Sequence, residues 1–471
     1  MAPSHINDAQ RFMEEHAPQA KESIWKPAYH VTAPSGWIND PNGLIQFNGV
    51  YHLFYQLHPY SPEWGPMHWG HATSGDLVHW SHQRIALAPD QGYETGCFSG
   101  SAVNDNGVLT LFYTAHNDNQ AVKETQCIAR ASQDCLTFTK SPNNPIIAVY
   151  PEDGSPDFRD PKVWRQDGRW NMIVGTGKDT RGRVVLYSSD DLEAWEYRGV
   201  MCQSDGTQGT MWECPNFCTV DGEDLIIVSP MEMEGHKNIY ITGIFDNQSG
   251  VFTQKAWAEL DAGNDFYAAH VFKDESGRTI LMAWMDMWGS PFPTQKDGWA
   301  GTLTIPRVLA MRDGLLLQQP VPELSTLREE QLLSTFLTIR EKDNPLKNIS
   351  AECLEIMMEF EKDSAQKGFE LSITDNGTQR VTLIYDGENH AFALQKSATG
   401  AHAFKPCPSQ KNTIDVHLFI DRCSLEVFID EGSLCFSQKF YFESRERSYA
   451  LKANGLTLPT LKVWRLGEAF V

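Results

Sequence analysis

Apolar runs and short polar breaks alternate along the first two thirds of the chain in one repeated form. β-Branched and aromatic segments flank two-residue turns in "LIQF-NG-VYHLFYQ", "SAVND-NG-VLTLFYTA", "PKVWRQ-DG-RWNMIVG", "NFCTV-DG-EDLIIVS" and "AHVFKDE-SG-RTILMAW". Asn-Gly and Asp-Gly between such runs predict hairpins, because the tight turn needs positive φ at both central residues. The turn glycines Gly49, Gly107, Gly168, Gly222 and Gly277 are spaced 58, 61, 54 and 55 residues apart. A second marker, Ser-x-Asp-x-x-x-aromatic, keeps step with them at Ser74/Asp76/Trp80, Ser132/Asp134/Phe138 and Ser189/Asp191/Trp195. Five successive four-stranded units that cannot bury both faces alone predict an all-β fold, a five-bladed β-propeller over residues 31–320. The alternative is a β-sandwich whose hairpins happen to be evenly spaced.

The pattern then changes. "VPELSTLREEQLL" reads as a linker with a little helix, residues 321–345, and from 346 to 471 short alternating strands such as "CLEIMMEFE", "RVTLIYDG" and "SLEVFID" predict a C-terminal β-sandwich. "INDAQRFMEEHA" predicts a helix in an N-terminal extension over residues 1–30.

Composition narrows the function. The chain has 471 residues, 41% hydrophobic, and a formal charge of -22 that repels phosphodiester backbones and anionic membranes, so neither nucleic acid nor membrane is an expected partner. No apolar run reaches the length of a spanning helix and the N-terminus lacks the form of a signal peptide, which predicts a cytoplasmic protein. Ten scattered cysteines form no framework and are expected as free thiols. Neither a metal site nor a cofactor is expected, and the six histidines from His52 to His82 are read as structural or supporting. Oligomeric state is not readable.

Counting back from each turn glycine, Asp40, Phe98, Asp160, Glu213 and Tyr267 fall 9, 9, 8, 9 and 10 residues before it. Equivalent positions near the starts of inner strands gather at one mouth of a propeller. "WINDPNG", "CFSGSA", "FRDPKVW", "MWECPNF" and "NDFYAAH" should therefore meet, and three of them bring a carboxylate. Singly, each acid is readily structural: a turn former, an ion pair with Arg159, a solvated strand end. Together they repel one another, which suits a glycosidase that needs one protonated and one ionised carboxyl. Carboxyls about 5 Å apart would give retention and about 6.5 to 9.5 Å inversion, a gap that spacing along the chain leaves open.

The five segments in this order resemble glycoside hydrolase family 32, the invertases, fructanases and sucrose-6-phosphate hydrolases. The likeness is dense over residues 30–325 and looser beyond, where "DRCSLEVFIDEG" is similar to the family's sandwich domain. It implies a retaining β-fructofuranosidase with Asp40 as nucleophile, Glu213 as acid/base and Asp160 as the residue stabilising the transition state. By motif, Asn39, Gln56, Ser99, Arg159 and Asp265 would bind sugar hydroxyls or support that binding, while Trp64, Phe98, Tyr267 and Trp284 would form apolar walls. Asn216 departs from the acid common after "ECP".

"WGPMHWGHATS" and "WMDMWGSPFP" look most like intracellular bacterial sucrose hydrolases. With no basic cluster near these motifs to receive a phosphate, sucrose is the first substrate expected and sucrose 6-phosphate the second, with kestose or raffinose as side substrates. An arabinoside-acting propeller hydrolase, a non-catalytic sugar-binding propeller and a protein-interaction propeller are the remaining alternatives.

Overall fold

The computed structural model describes residues 6–375, 379–396 and 403–470. Strands dominate it, and they sort into two compact units. The first holds the helix Ile6–Lys21, Val31–Leu260 and Phe266–Pro306; the second holds Glu22–His30, Asp261–Asp265 and the chain from Arg307 on. No helix is long and apolar enough to cross a membrane.

In the first unit, hairpins expected from the turn glycines build four sheets of four antiparallel strands in chain order, the first of which also takes the short strand Trp299–Ala300 parallel to its first strand. These are β1 (Gly36–Phe47), β2 (Val50–His58), β3 (His68–Ser74) and β4 (Trp80–His82); β5 (Gly96–Asp105), β6 (Val108–His116), β7 (Glu124–Ala131) and β8 (Phe138–Lys140); β9 (Phe158–Gln166), β10 (Arg169–Lys178), β11 (Arg181–Ser189) and β12 (Glu196–Gln203); β13 (Met211–Val220), β14 (Glu223–Met231), β15 (Ile239–Asp246) and β16 (Val251–Glu259). A further antiparallel pair follows, β17 (Tyr267–Lys273) and β18 (Thr279–Trp284). The inner strands close a ring: β1 packs beside β5, β5 beside β9, β9 beside β13, β13 beside β17, and β17 beside β1.

Both sequence markers have a local cause. Asn48-Gly49, Asn106-Gly107, Asp167-Gly168 and Asp221-Gly222 all take positive φ at both residues, as the tight hairpin turn demands. The fifth connection is longer, and Asp274 rather than a two-residue turn closes it through Arg278. Asp76 and Asp191 accept backbone N–H groups two and three residues on, which folds the turn between third and fourth strands. Leu77 and Leu192 are thereby forced to positive φ, and the indoles of Trp80 and Trp195 donate to their carbonyls.

All five inner pairs contain a register irregularity near their start. It falls between Ile38 and Pro41, Phe98 and Gly100, Arg159 and Lys162, Glu213 and Asn216, and Tyr267 and His270. Asp160, Cys214 and Ala268, inside three of these bulges, have φ of 68, 50 and 52, where glycine would be the usual choice.

The second unit has two antiparallel sheets. One runs Arg328–Ile339, Leu456–Leu466, Leu354–Glu361, Thr413–Asp421, Ser424–Ile429, Leu434–Lys439; the other Lys405–Pro406, Ala391–Lys396, Arg380–Asp386, Phe369–Thr374, Ser448–Ala453. Alternating side chains such as Ile356, Met358 and Phe360 fill the core of this sandwich. Residues 321–345, expected as a linker with a little helix, hold a short turn of 3₁₀-helix at Pro322–Leu327 and, beyond it, the twelve-residue strand Arg328–Ile339 that was not expected. That strand lies at a sheet edge with half of its residues exposed, and its apolar alternation, Leu333, Leu337 and Ile339, is confined to its second half. Residues 1–30 likewise divide, the helix going to the first unit and Glu22–His30 to the second, where buried His30 sits between Asp421 and Glu426 at 2.8 and 3.0 Å.

The bulges bring backbones close. A Cβ on Gly175 would lie 2.2 Å from the Trp212 carbonyl oxygen, whereas one on Gly107 would meet nothing within 4 Å. Gly175→Ala is expected to cost about 3 kcal/mol or more in urea unfolding, and Gly107→Ala only about 1 kcal/mol from its positive φ.

Candidate active site

Strict alternation sends neighbouring side chains of a strand to opposite faces. The bulges break that rule here. Asn39 and Asp40, Phe98 and Ser99, and Arg159 and Asp160 are consecutive pairs, yet all six line one cavity of about 480 Å³ in the first unit, together with Gln56, Trp64, His116, Asp118, Glu124, Asp157, Glu213 and Trp288. Larger surface grooves exist, but this is the one in which the chemistry-bearing groups converge.

Asp40 is held at both oxygens. Asn39 Nδ2 donates to Oδ1 at 2.9 Å and Ser99 Oγ to Oδ2 at 2.5 Å, and Trp37 Nε1 fixes the Asn39 oxygen at 2.8 Å. The Cys214 amide donates to Asp160 Oδ2 at 2.8 Å while its Sγ lies 3.6 Å from Asp40 Oδ2, so the residue after Glu213 ties both aspartates together. Arg159 places two donors on Glu213 Oε1, at 3.0 and 2.9 Å, and the Tyr267 hydroxyl donates to Oε2. Arg159 also reaches Glu124 and Asp157 at 3.1 Å each. The three acids found by the repeat are thus joined through two neighbours, Cys214 and Arg159.

Six carboxyls line the cavity against the single guanidinium of Arg159. Burial is the main force raising the Asp160 carboxyl to about 8, with Arg159 opposing and Glu213 and Asp40 adding to the rise. Burial likewise raises Asp40, against its bonds from Ser99 and Asn39 and with the Glu213 charge assisting. Burial and then the Glu213 charge keep the Tyr267 phenol protonated.

Nine of the twelve expected site residues form the cavity wall: Asn39, Asp40, Gln56, Trp64, Phe98, Ser99, Arg159, Asp160 and Glu213. Tyr267 stands behind the wall and acts on Glu213 by its hydroxyl. Two expectations need correction. Trp284 is fully buried behind Trp37 and Trp288, ring centroids 5.8 and 4.9 Å away, and half-exposed Trp288 supplies the wall instead. Asp265 is buried in the second unit, its carboxylate taken by the Lys439 amide at 2.7 Å and by Gln438 Nε2. Asn216 faces away from the cavity and is spent on the neighbouring strand, bonding Ala269 O and Val271 N at 2.8 and 3.1 Å.

Sequence reasoning missed His116, Asp118, Glu124, Asp157 and Trp288. Asp157 was visible beside "FRDP", and Trp288 beside Trp284. His116 ends β6 as His58 ends β2, a correspondence the repeat could have shown. Among the described residues, the one carboxylate grouping of a size to hold a cation is Asp415, Asp430 and Glu431 in the second unit, which Lys411 and Arg312 already neutralise.

A polar, acid-rich cavity with two buried carboxyls of raised proton affinity and a third clamped by arginine and tyrosine defines a glycoside hydrolase. The comparisons agree. The chain belongs to glycosyl hydrolase family 32: residues 30–320 match the family's N-terminal domain and residues 323–465 its C-terminal domain. It is 38% identical to a sucrose-6-phosphate hydrolase of Escherichia coli, over 99% of this chain and 100% of that one. It is 37% identical to a raffinose invertase of Escherichia coli, covering 92% of each. A solved variant of a Bombyx mori family 32 β-fructofuranosidase, in complex with sucrose, superposes with a TM-score of 0.87 at 32% identity, covering 98% of this chain and 99% of that one.

The raised Asp160 carboxyl has a stability consequence. Folded Asp160 keeps its proton up to about pH 8, whereas its ordinary value is 3.8, so the folded state binds the extra proton between those limits and stability falls as pH climbs through them. Asp160→Asn removes that liability while keeping an oxygen for the Cys214 amide. Its folding free energy from urea unfolding is expected to match the parent's near pH 4 and to exceed it increasingly toward pH 8, by on the order of a few kcal/mol; sugar hydrolysis should fall at the same time.

Proposed function

We propose that this chain hydrolyses terminal non-reducing β-D-fructofuranosyl residues, with sucrose as its main substrate, by a double displacement that retains configuration. The observation that carries this is the meeting of Asp40, Asp160 and Glu213 in one cavity, with Asp40 fixed at both oxygens. Asp40 attacks C2 of the fructosyl unit, and protonated Glu213 gives its proton to the glycosidic oxygen so that glucose leaves. The same Glu213 then takes a proton from water, which releases fructose from Asp40. Arg159 and Tyr267 keep the Glu213 carboxyl aimed through both steps. Asp160, held by the Cys214 amide, binds ring hydroxyls as positive charge grows at C2 and the ring oxygen. Trp64, Phe98 and Trp288 offer apolar faces to the sugar, and Phe98 is itself stacked on His116 at 4.1 Å.

Sucrose 6-phosphate is the second reading, favoured by what the Escherichia coli relative is named for. The cavity favours the neutral sugar: its walls carry the largely exposed carboxylates of Asp118 and Asp157, its one guanidinium is spent on Glu124, Asp157 and Glu213, and the nearby Lys123 ammonium is already paired with Asp118 at 2.9 Å. A phosphate dianion beside Asp118 and Asp157 meets like charge.

Asp40→Asn should reduce sucrose turnover by about four orders of magnitude or more, without loss of the native melting transition; turnover near the parent's would remove Asp40 as nucleophile. In parallel assays, kcat/KM for sucrose should exceed that for sucrose 6-phosphate. Asp118→Asn should narrow that ratio severalfold, chiefly by improving the phosphorylated substrate; a parent enzyme faster on the phosphate would install the second reading.

A further inference from the structure

Glu124 opens β7 and lines the cavity but takes no step in the proposed chemistry, yet both of its oxygens are turned toward the segment that carries Arg159 and Asp160. Oε2 accepts the Phe158 amide at 2.7 Å, and Arg159 Nη1 donates to Oε1 and Oε2 at 3.2 and 3.1 Å. Two residues further along β7, Gln126 Nε2 donates to the Phe158 carbonyl at 2.8 Å. Side chains two apart on a strand share a face, so β7 grips both the N–H and the C=O of Phe158, the first residue of β9 and the one just before the Arg159–Asp160 bulge.

A guanidinium is planar and rigid, so holding Nη1 sets the direction of its Nε–Nη2 edge. That edge meets Glu213 Oε1 at 3.0 and 2.9 Å. Asp157 also accepts from Nη1, at 3.1 Å, but its side chain is 63% exposed against 6% for that of Glu124. Water and salt screen an exposed pair, while a buried one keeps its geometry, so Glu124 is the partner that decides how Arg159 points. Burial would raise the Glu124 carboxyl, but His116, the Arg159 charge and the Phe158 amide outweigh it and hold it below its ordinary value, as the anion a guanidinium needs.

We propose that Glu124 is a positioning residue for proton transfer: by fixing Arg159 it holds the Glu213 carboxyl where the glycosidic oxygen receives its proton. The assignment rests on the double displacement proposed above, in which Glu213 is the acid and then the base. Without Glu124 the Tyr267 hydroxyl still holds Glu213 Oε2, so proton transfer is impaired and not abolished. A misplacement of about 1 Å in a catalytic group is enough to cost on the order of 100-fold in rate.

The leaving group separates this role from the others a buried carboxylate could have. Glucose and methanol leave a fructosyl carbon only when their oxygen is protonated, whereas a nitrophenolate leaves as the anion. A residue that only supports the fold, or that touches the fructosyl ring, slows all three substrates alike. One that touches the glucose unit slows sucrose alone. A residue that aims the proton donor slows sucrose and methyl β-D-fructofuranoside together and spares the 4-nitrophenyl β-D-fructofuranoside.

The full-length protein and two variants would be assayed for kcat/KM on these three substrates, since kcat/KM reads only as far as the first irreversible step, loss of the aglycone. Glu124→Gln is expected to keep the parent's melting transition, to lose about 10- to 100-fold on sucrose and on the methyl fructoside, and to lose less than about threefold on the nitrophenyl fructoside. Glu213→Gln should show the same split, larger, at about 100- to 10,000-fold. Its absence there would overturn Glu213 as the proton donor, and the present proposal with it. A split in Glu213→Gln, but in Glu124→Gln an equal loss on all three substrates, a loss on sucrose alone or no loss, would overturn the positioning role and leave the reaction as proposed. Should Glu124→Gln not fold, Glu124→Asp keeps the charge but is too short to span the Phe158 amide and Arg159, and the same split is expected of it.

Discussion

A strand that keeps perfect alternation can aim only every second side chain at a given space, and the cavity of this protein needs more than that. The register breaks at the starts of β1, β5 and β9 are what let Asn39 with Asp40, Phe98 with Ser99, and Arg159 with Asp160 enter it as pairs. Everything in the site depends on those breaks. Ser99 can bond Asp40 only because Phe98 does not exclude it from the same face, and Arg159 can hold Glu213 while its neighbour Asp160 takes the Cys214 amide. The ring of inner strands brings the segments together, but the bulges decide what they present.

This also explains which parts were legible before the structure. Hairpins, the repeat and the three acids follow from local turn chemistry and from counting, both of which are written in adjacent residues. The aromatic walls were half legible: Trp64 and Phe98 are in place, while Trp284 and Trp288 exchange roles, because two tryptophans four residues apart differ only in how the chain folds between them. Bulges at Asp160, Cys214 and Ala268 were invisible, since positive φ there is imposed by tertiary bonds on residues that do not advertise it. Asp265 was misread because two residues of separation from Tyr267 place it in a different unit, where its oxygens are already used. The edge strand Arg328–Ile339 hid for the opposite reason: half of it is exposed, and the apolar face of Leu333, Leu337 and Ile339 is confined to its second half, behind the charged Arg328, Glu329 and Glu330.

The second unit solves a different electrostatic problem. Its buried charges alternate in sign, Asp421 on His30, His30 on Glu426, Glu426 on Arg307 and Arg307 on Asp261, so each is compensated by its neighbour. Burial would discharge His30, and the bonds from Asp421 and Glu426 reverse that and raise its proton affinity. Such a chain is costly to break at any one link, and it fixes which strands adjoin rather than adding much net stability.

The catalytic cavity does the reverse, gathering six carboxyls around one guanidinium and leaving part of the charge uncompensated. Burial first, and then the neighbouring carboxylates, raise the proton affinity of Asp160 and Asp40 within it. Sucrose is neutral and gains little from a negative field. The transition state for losing glucose is not neutral, because positive charge spreads over C2 and the ring oxygen. A field that is nearly indifferent to the substrate and attractive to that cation acts on the barrier and not on the ground state, which is where a catalyst must spend its interactions. On the proposed function, the crowding of Asp40, Asp160 and Glu213 that helps burial to raise the proton affinity of the first two is also what attracts the positive charge of the reacting sugar.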